Sequence, residues 1–194
     1  TASGDITQMG GSISASDVTL TASSDITQMG GSVSATNAVL RATQNISQTA
    51  GSLVAVNTTA EAGGDLSLAS TSNKLQNVSV KAVNGSATIV SGNDAAGALN
   101  VQTVETVGGA LTITNKANGT KNVIKVNQNL KASGAIAITN DEAAINVGQG
   151  ATMEGTSVYL KASADAVAIN GGSINATSGN VSINAAKDIA LNSG

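Results

Sequence analysis

The sequence predicts an all-β fold in which the chain winds into a stack of similar coils, a parallel β-helix (β-solenoid). Three observations support this prediction. The segment SGDITQMGGSISASDVTLTA, residues 3–22, is followed by the near copy SSDITQMGGSVSATNAVLRA, residues 23–42. Apolar residues within each copy alternate with polar ones, which is the two-residue period of a strand. The chain also has no proline and a single aromatic residue, Tyr159.

The composition bounds the class of protein before any motif is considered. Charged residues make up 11% of the chain, whereas soluble domains usually carry about 25%. Disordered chains are rich in charge and proline and poor in β-branched residues, so this composition does not fit a disordered segment. It fits a β-rich fold whose interior is built from small aliphatic side chains.

Repetition at a fixed period is the clearest feature of the chain. When the sequence is written in rows of twenty, aliphatic residues align in columns. Gly11, Gly31 and Gly51 align as well, and each is followed by serine. The aliphatic columns are Ile6, Ile26, Ile46 and Leu66; Ile13, Val33 and Leu53; Leu20, Leu40, Ala60 and Val80; and Ala2, Ala22, Ala42, Ala62 and Ala82.

The period loosens after residue 80, but similar phrases return: GSATIVS, GALTITN, GAIAITN, DAVAIN, GNVSIN and KDIALN. We expect insertions near Gly92–Ala98, Lys116–Lys121 and Asp141–Gly150. The sequence therefore predicts one domain, with regular repeats over 1–80 and looser repeats over 81–194, and about eight to nine turns in all. We expect this domain to be a segment of a longer rod.

Each turn of about twenty residues is predicted to contain three short strands joined by corners. The alternating runs are separated by Gly, Ser, Asn or Asp, which favour turns. One turn cannot bury its apolar side alone, whereas stacked turns bury it continuously. Strands stacked about 4.8 Å apart predict a rod of roughly 40 Å. Proline is excluded because each stacked strand must donate its N–H groups.

Three glutamines occupy an inner position that later turns fill with aliphatic residues. The glutamines are Gln8, Gln28 and Gln48, and the later residues are Leu68, Ile89, Ile113, Ile138, Ile169, Ile183 and Leu191. Amides stacked along an axis can hydrogen-bond to one another, so we expect a structural polar ladder. A small-molecule site around these amides is the alternative.

The chain offers little for catalysis. It has no histidine and no cysteine, which removes the usual general base, the thiolate nucleophile and the main zinc ligands. The phosphate-binding glycine motifs do not occur either. The sequence therefore predicts that the chain is not an enzyme, and it assigns no catalytic, cofactor-binding or metal site and no cofactor.

Acidic residues remain as candidates for a site. Asp5, Asp25 and Asp65 share one column with Asn45, and Asp and Asn favour corners because they bond to nearby backbone. We expect a corner here, with a weak cation site as the alternative. Asp141–Glu142 is predicted to lie in a solvated loop, because adjacent strand residues point to opposite faces.

One column of the repeat is rich in basic residues. It contains Thr1, Thr21, Arg41, Glu61, Lys81, Lys131 and Lys161. We interpret it as a solubilising face that discourages lateral strand pairing, and a basic ridge for anionic glycans is the alternative. A net charge of −3 gives no basic footprint for nucleic acid. No apolar run is long enough for a membrane-spanning helix, so we expect no membrane insertion.

The repeat unit xAxGDIxxxxGSIxAxxVxLxA resembles the haemagglutinin-type repeats in the stalks of filamentous-haemagglutinin-like proteins, the exoproteins of bacterial two-partner secretion. The resemblance lies in Gly4–Ile6, Gly11–Ile13, Val18–Ala22 and their copies, over nearly the whole chain. It implies a right-handed parallel β-helix that is exported through an outer-membrane pore. The family's secretion domain carries an Asn-Pro-Asn motif, which a chain without proline cannot contain, so the resemblance places the transport signal and any receptor-binding tip elsewhere.

Three functional hypotheses follow. The first is a non-enzymatic stalk segment of a secreted, surface-displayed bacterial adhesin or biofilm-matrix fibre, extracellular, with host-cell or matrix glycans bound by regions outside this segment. The second is a subunit of an extracellular filament that stacks end to end, because an open β-helix end exposes unpaired backbone groups. The third is a polysaccharide-active β-helix or phage tailspike, for which one tyrosine supplies little sugar-stacking surface.

Overall fold

The fold prediction is confirmed by the computed structural model, which describes residues 1–92, 97–116 and 122–193. Within these ranges there is no helix, and twenty-one strands pair in parallel. The strands form a β-solenoid of about eight turns with about 21 residues in each turn. Two of the predicted insertions fall mainly on residues 93–96 and 117–121, which lie outside the described ranges.

The first sheet forms one wall of the coil and takes one short strand from every turn. Its strands pair in the order in which they occur along the chain. With all strands numbered in chain order, they are β1 (Ile6–Gln8), β3 (Ile26–Gln28), β5 (Ile46–Gln48), β7 (Leu66–Leu68), β9 (Ala87–Ser91), β11 (Leu111–Asn115), β14 (Ile136–Asn140), β17 (Val158–Ala162) and β20 (Val181–Ala185).

The second sheet forms the rest of the coil. In the first turns one long strand spans it: β2 (Ser12–Ala22), β4 (Ser32–Ala42), β6 (Ser52–Ala62), β8 (Lys74–Ala82) and β10 (Leu99–Thr106). Later turns have separate strands: β12 (Ile124–Val126), β13 (Leu130–Ala132), β15 (Ile145–Val147), β16 (Thr152–Gly155), β18 (Val167–Asn170), β19 (Ser173–Ala176) and β21 (Ile189–Asn192). The predicted three separate strands per turn are therefore present in the later turns only.

The long strands turn a corner where the inward-facing residues change phase. In β4 the buried residue Val33 has an odd residue number, whereas the buried residues Ala38 and Leu40 have even residue numbers. The pairing register between β2 and β4 omits Ser16 and Thr36, which lie at this change. A strand with a single phase would turn one set of apolar residues to solvent. The phase change lets both halves of the strand face one interior.

Aliphatic side chains stack in columns through that interior, as the repeat predicts. Leu75, Leu111 and Ile138 in the middle turns are completely buried, whereas Ile13 in the first turn and Leu191 in the last are 37% and 70% exposed. Burying one such side chain contributes about 1.5–3 kcal/mol. One complete column consists of Ile6, Ile26, Ile46, Leu66, Ala87, Leu111, Ile136, Val158 and Val181.

Two residues of a predicted inner column lie on the other sheet. Ile169 pairs with Val147 and Leu191, whereas the column that continues from Leu68 contains Leu160 instead. The phrases DAVAIN and KDIALN therefore contribute to β18 and β21. The prediction was wrong here because insertions alter the spacing between turns, and both sheets present the same alternating pattern to one interior.

The repeated glycines form the corner that follows the first wall. Gly11, Gly31 and Gly51 have φ angles of 72°, 72° and 80°, in the left-handed region that glycine adopts without steric cost. A Cβ on Gly51 would lie 2.7 Å from the backbone oxygen of Gly31. Stacked corners thus pack backbone directly on backbone, which is a second reason for glycine at each of these positions.

Candidate functional site

The acidic column lies at the corner before the first wall and bonds to the backbone of the next turn. Asp5 Oδ1 accepts a hydrogen bond from the Asp25 N–H at 3.1 Å, and Asp25 Oδ1 accepts one from the Asn45 N–H at 2.8 Å. Asn45 and Asp65 repeat this bond to Asp65 and Ser86. The corner interpretation is correct, and these groups cross-link turns. Among the described residues no group of three or more His, Cys, Asp or Glu could hold a metal ion.

Hydrogen bonds hold the pKa of the Asp5 carboxyl below its ordinary value of 3.8. The largest cause is a hydrogen bond from the Ser24 side chain, followed by the bond from the Asp25 N–H. Both bonds are made to the ionised form and therefore favour it. Asp5 is thus a carboxylate acceptor in the first turn.

The predicted glutamine ladder is present in the first three turns. Gln28 Nε2 donates to Gln8 Oε1 at 2.9 Å, and Gln48 Nε2 donates to Gln28 Oε1 at 2.7 Å. Gln28 Nε2 also donates to the Ser52 carbonyl oxygen at 3.3 Å. Both N–H groups of Gln28 and one acceptor site of its oxygen are therefore engaged between turns, as the structural ladder predicts.

A buried asparagine that the sequence analysis missed closes this ladder. Asn73 is completely buried. Its Oδ1 accepts from the Leu53 N–H at 2.8 Å, and its Nδ2 donates to the Val90 carbonyl oxygen at 3.2 Å. One signal in the sequence points to it. Residue 73 continues the column of Ile13, Val33 and Leu53, and an amide is unexpected in a column of aliphatic residues.

A second amide ladder runs along the exposed side of the second sheet, and the sequence analysis missed it too. Each asparagine donates through Nδ2 to the residue one turn below, and the lowest residue, Asp17, is a carboxylate, which only accepts. The four distances from Asp17 upward are 2.7, 2.8, 2.9 and 3.0 Å, through Asn37, Asn57, Asn77 and Asn100. These bonds tie five successive turns together from outside the core.

Asp141 and Glu142 lie in a loop, as predicted, directly after β14. The loop is half-buried. Asp141 Oδ2 lies 3.4 Å from Lys116 Nζ in an ion pair across neighbouring turns. The loop is anchored beneath by Asn140, which is buried and donates to the carbonyl oxygens of Asn122 and Ala144 at 2.9 and 2.8 Å.

The column that the sequence analysis found rich in basic residues alternates in sign. Lys161 does not belong to it, because it lies on the first wall between Thr139 and Asn184. Two acidic residues missed from the sequence, Glu105 and Glu154, do belong to it. From the first turn upward the column contains Thr21, Arg41, Glu61, Lys81, Glu105, Lys131, Glu154 and Asn175.

We call Arg41, Glu61, Lys81, Glu105, Lys131 and Glu154 the charge ladder. Its neighbours form ion pairs: Arg41 Nε lies 3.7 Å from Glu61 Oε2, Lys81 Nζ lies 3.5 Å from Glu105 Oε2, and Lys131 Nζ lies 3.6 Å from Glu154 Oε1. The side chains are about half exposed. With three positive and three negative groups, the ladder is not the continuous basic ridge that was the alternative interpretation of this column.

The polar groups of these ladders bond along the rod axis and cross-link neighbouring turns. None of the described residues forms a helix that is long and apolar enough to cross a membrane. Comparison with known proteins finds no matching family model, no similar curated protein and no similar solved structure.

Proposed function

We propose that this chain is a non-enzymatic segment of a rod-shaped stalk. The stalk belongs to a secreted, surface-displayed bacterial adhesin or biofilm-matrix fibre, of the filamentous-haemagglutinin-like class that the repeat unit resembles. The observation that carries the proposal is the continuity of the stacking: parallel pairing along the first wall runs from Ile6 to Val181 without a break. Such a rod holds whatever lies beyond it at a fixed distance from the cell.

The mechanism is mechanical. Hydrogen bonds between parallel strands of neighbouring turns run along the rod axis. Bending the rod compresses one side of the coil and stretches the backbone bonds on the other, so many bonds oppose each small deformation. The glutamine ladder inside the coil and the asparagine ladder outside it add side-chain bonds in the same direction. Buried aliphatic columns line the interior along the same axis.

Insertion of one turn tests the rod mechanism. A second copy of residues 23–42, inserted after Ala42, keeps every column in register. We expect it to lengthen the rod by about 4.8 Å and to leave the unfolding temperature unchanged or higher. Small-angle X-ray scattering and thermal unfolding measure the two quantities. Insertion of residues 23–32 alone is the matched control, because half a turn places the first wall over the second sheet and should destabilise the rod.

Cell-surface labelling and activity assays test the role. Antibodies against the folded chain are expected to label intact cells of the organism that produces it, and labelling restricted to permeabilised cells would contradict the proposal.

The purified chain is expected to cleave no member of a panel of acidic and neutral polysaccharides. Cleavage that a single substitution abolishes would favour a polysaccharide-active β-helix instead.

The second candidate is a filament subunit that stacks end to end. It is favoured by the register of the stacking, because each turn pairs in parallel with the next through backbone groups, as Ile6 does with Ile26. A second copy stacked in the same register would extend the parallel sheets. Electron microscopy of the purified chain separates the two candidates, since long uniform fibres support the filament and short isolated rods support the stalk segment.

A further inference from the structure

We propose that the charge ladder is a docking surface for a second copy of this chain, which lies antiparallel to the first. This inference goes beyond the stalk function, because it concerns how rods associate sideways. The signs along the ladder, from Arg41 to Glu154, are positive, negative, positive, negative, positive and negative. Reading the ladder from the opposite end inverts every sign. A second ladder laid against the first in the opposite direction therefore places an opposite charge at each of the six positions.

This pairing defines a two-fold axis between Lys81 and Glu105. Lys81 of one copy faces Glu105 of the second copy, and Arg41 faces Glu154 of the second copy in the same way. The contact is isologous, so it closes at two copies and does not propagate. A parallel arrangement in the same register would instead set like charges against each other along the whole ladder, which is unfavourable.

An exposed apolar residue lies beside the centre of the ladder. Val107 follows Glu105 by two residues and is 52% exposed. Its N–H donates to the Ala82 carbonyl oxygen at 3.0 Å, which places Val107 one turn above the half-buried Val83. The two-fold axis that brings Lys81 to Glu105 also brings Val83 to Val107 of the second copy. Beside the central Lys81–Glu105 pairs the proposed contact is therefore apolar. The remaining charged pairs lie in the turns above and below.

The surface beside the ladder has room for the side chains of a second copy. One shallow hollow is lined by Ala42, Thr43, Gly63 and Val83, and another, on the opposite flank, is lined by Thr59, Ser79 and Thr103. These flanking residues are small, whereas the ladder residues are long. Each ladder therefore forms a ridge between two hollows. A carboxylate has several lone pairs and an ammonium has three N–H groups, so a ladder group paired within its own chain can also bind across the contact.

The proposed dimer is weak and salt-sensitive, because its ion pairs are exposed and are screened by added salt. Sedimentation velocity measures it directly. We expect concentration-dependent dimers at about 20 mM NaCl and monomers at about 500 mM, where the Debye length has fallen to a few ångströms. Wild-type chain that stays monomeric at low salt up to the highest soluble concentration would overturn the proposal.

Substitution of Lys81 tests the position of the contact. Lys81→Glu sets two acidic side chains against each other on both sides of the two-fold axis, and we expect the dissociation constant to rise about tenfold or more. Lys125→Glu is the matched control, since Lys125 is exposed on β12, lies outside the ladder and undergoes the same change of charge. An equal effect of both substitutions would show that net charge alone matters and would overturn the proposal.

A charge-swap pair provides the sharpest test. Lys81→Glu and Glu105→Lys should each be monomeric alone, because each sets like charges together across the axis. Mixed together they should form a heterodimer, in which Glu at 81 faces Lys at 105 and Glu105 faces Lys81. Circular dichroism and thermal unfolding first establish that both variants are folded. Folded variants that fail to associate when mixed would contradict the two-fold arrangement.

A spin label reports the direction of the second copy. The chain has no cysteine, so Ser14→Cys introduces a single labelling site on an exposed residue of β2. Antiparallel copies separate the two labels by roughly 34 Å along the axis, since each lies about three and a half turns from the centre. Labels at the same height would indicate a parallel dimer. Oligomers larger than two that Lys81→Glu does not alter would indicate end-to-end stacking, and either result would overturn the proposal.

Discussion

The side-chain amides of Gln48 and Asn73 bond to each other in both directions. Gln48 Nε2 donates to Asn73 Oδ1 at 2.8 Å, and Asn73 Nδ2 donates to Gln48 Oε1 at 2.7 Å. Both residues are buried. This pair allows the glutamine ladder to end inside the rod, because Asn73 satisfies the last amide before Leu68 takes over the column in the next turn.

Gln48→Leu is expected to destabilise the rod, although leucine fills the same column one turn above. The substitution removes the buried partner of Asn73 and also the acceptor of the Ser70 N–H, and an unsatisfied buried polar group costs about 1–3 kcal/mol. Denaturant unfolding measures the change. Gln8→Leu is the control, since Gln8 is only half-buried and a smaller loss is expected. Equal losses in the free energy of unfolding would mean that the reciprocal Gln48–Asn73 pair contributes no additional stability.

Gly31→Ala is expected to lower the free energy of unfolding by about 1–3 kcal/mol, because alanine would be held in the left-handed region. Its Cβ would also meet the backbone of Gly10 and Gly11 in the turn below. Gly10→Ala is the control in the equivalent corner one turn below, because Gly10 has no positive φ and a Cβ there meets nothing within 4 Å. If both variants unfold at the same temperature, the stacked corner does not require glycine.

The stability lost when an inner side chain is truncated should depend on the turn in which that side chain lies. Leu75→Ala removes a completely buried side chain and is expected to cost about 2–5 kcal/mol, from the lost burial and the cavity left behind. Ile13→Ala removes a side chain that is already 37% exposed, and the loss should be smaller. Thermal and chemical unfolding compare the two. A larger loss for Ile13→Ala would contradict the stacked-column account of stability.

Asp5 should titrate below its ordinary pKa of 3.8. A folded-state pKa that is depressed contributes stability above the unfolded pKa, and this stability is lost as the pH falls through the folded pKa. The contribution of Asp5 is therefore complete above about pH 5 and declines on further acidification. Carboxyl chemical shifts in NMR measure the titration. Ser24→Ala removes the largest cause and should move the pKa back towards 3.8, and an unchanged titration would show that Ser24 has no such role.

Positions predicted from the repeat are correct where its period is regular. Where the period is twenty, as from Ile6 to Ile26 and Ile46, every predicted column is correct. Where insertions lengthen a turn, the same pattern led to wrong positions for Lys161 and Ile169. Asn73 was missed because its role depends on the partner 25 residues earlier in the chain.

Alternation and repetition by themselves determined that this chain coils, that its apolar residues face one interior, and that glycine stands at a stacked corner. Each of these properties depends on neighbours in the chain or on a constant spacing. The tertiary structure alone decided that Lys81 lies against Glu105, 24 residues later, and that Lys131 lies against Glu154. The physical reason is that hydrogen bonds between turns set the register, whatever number of residues the corner between them contains.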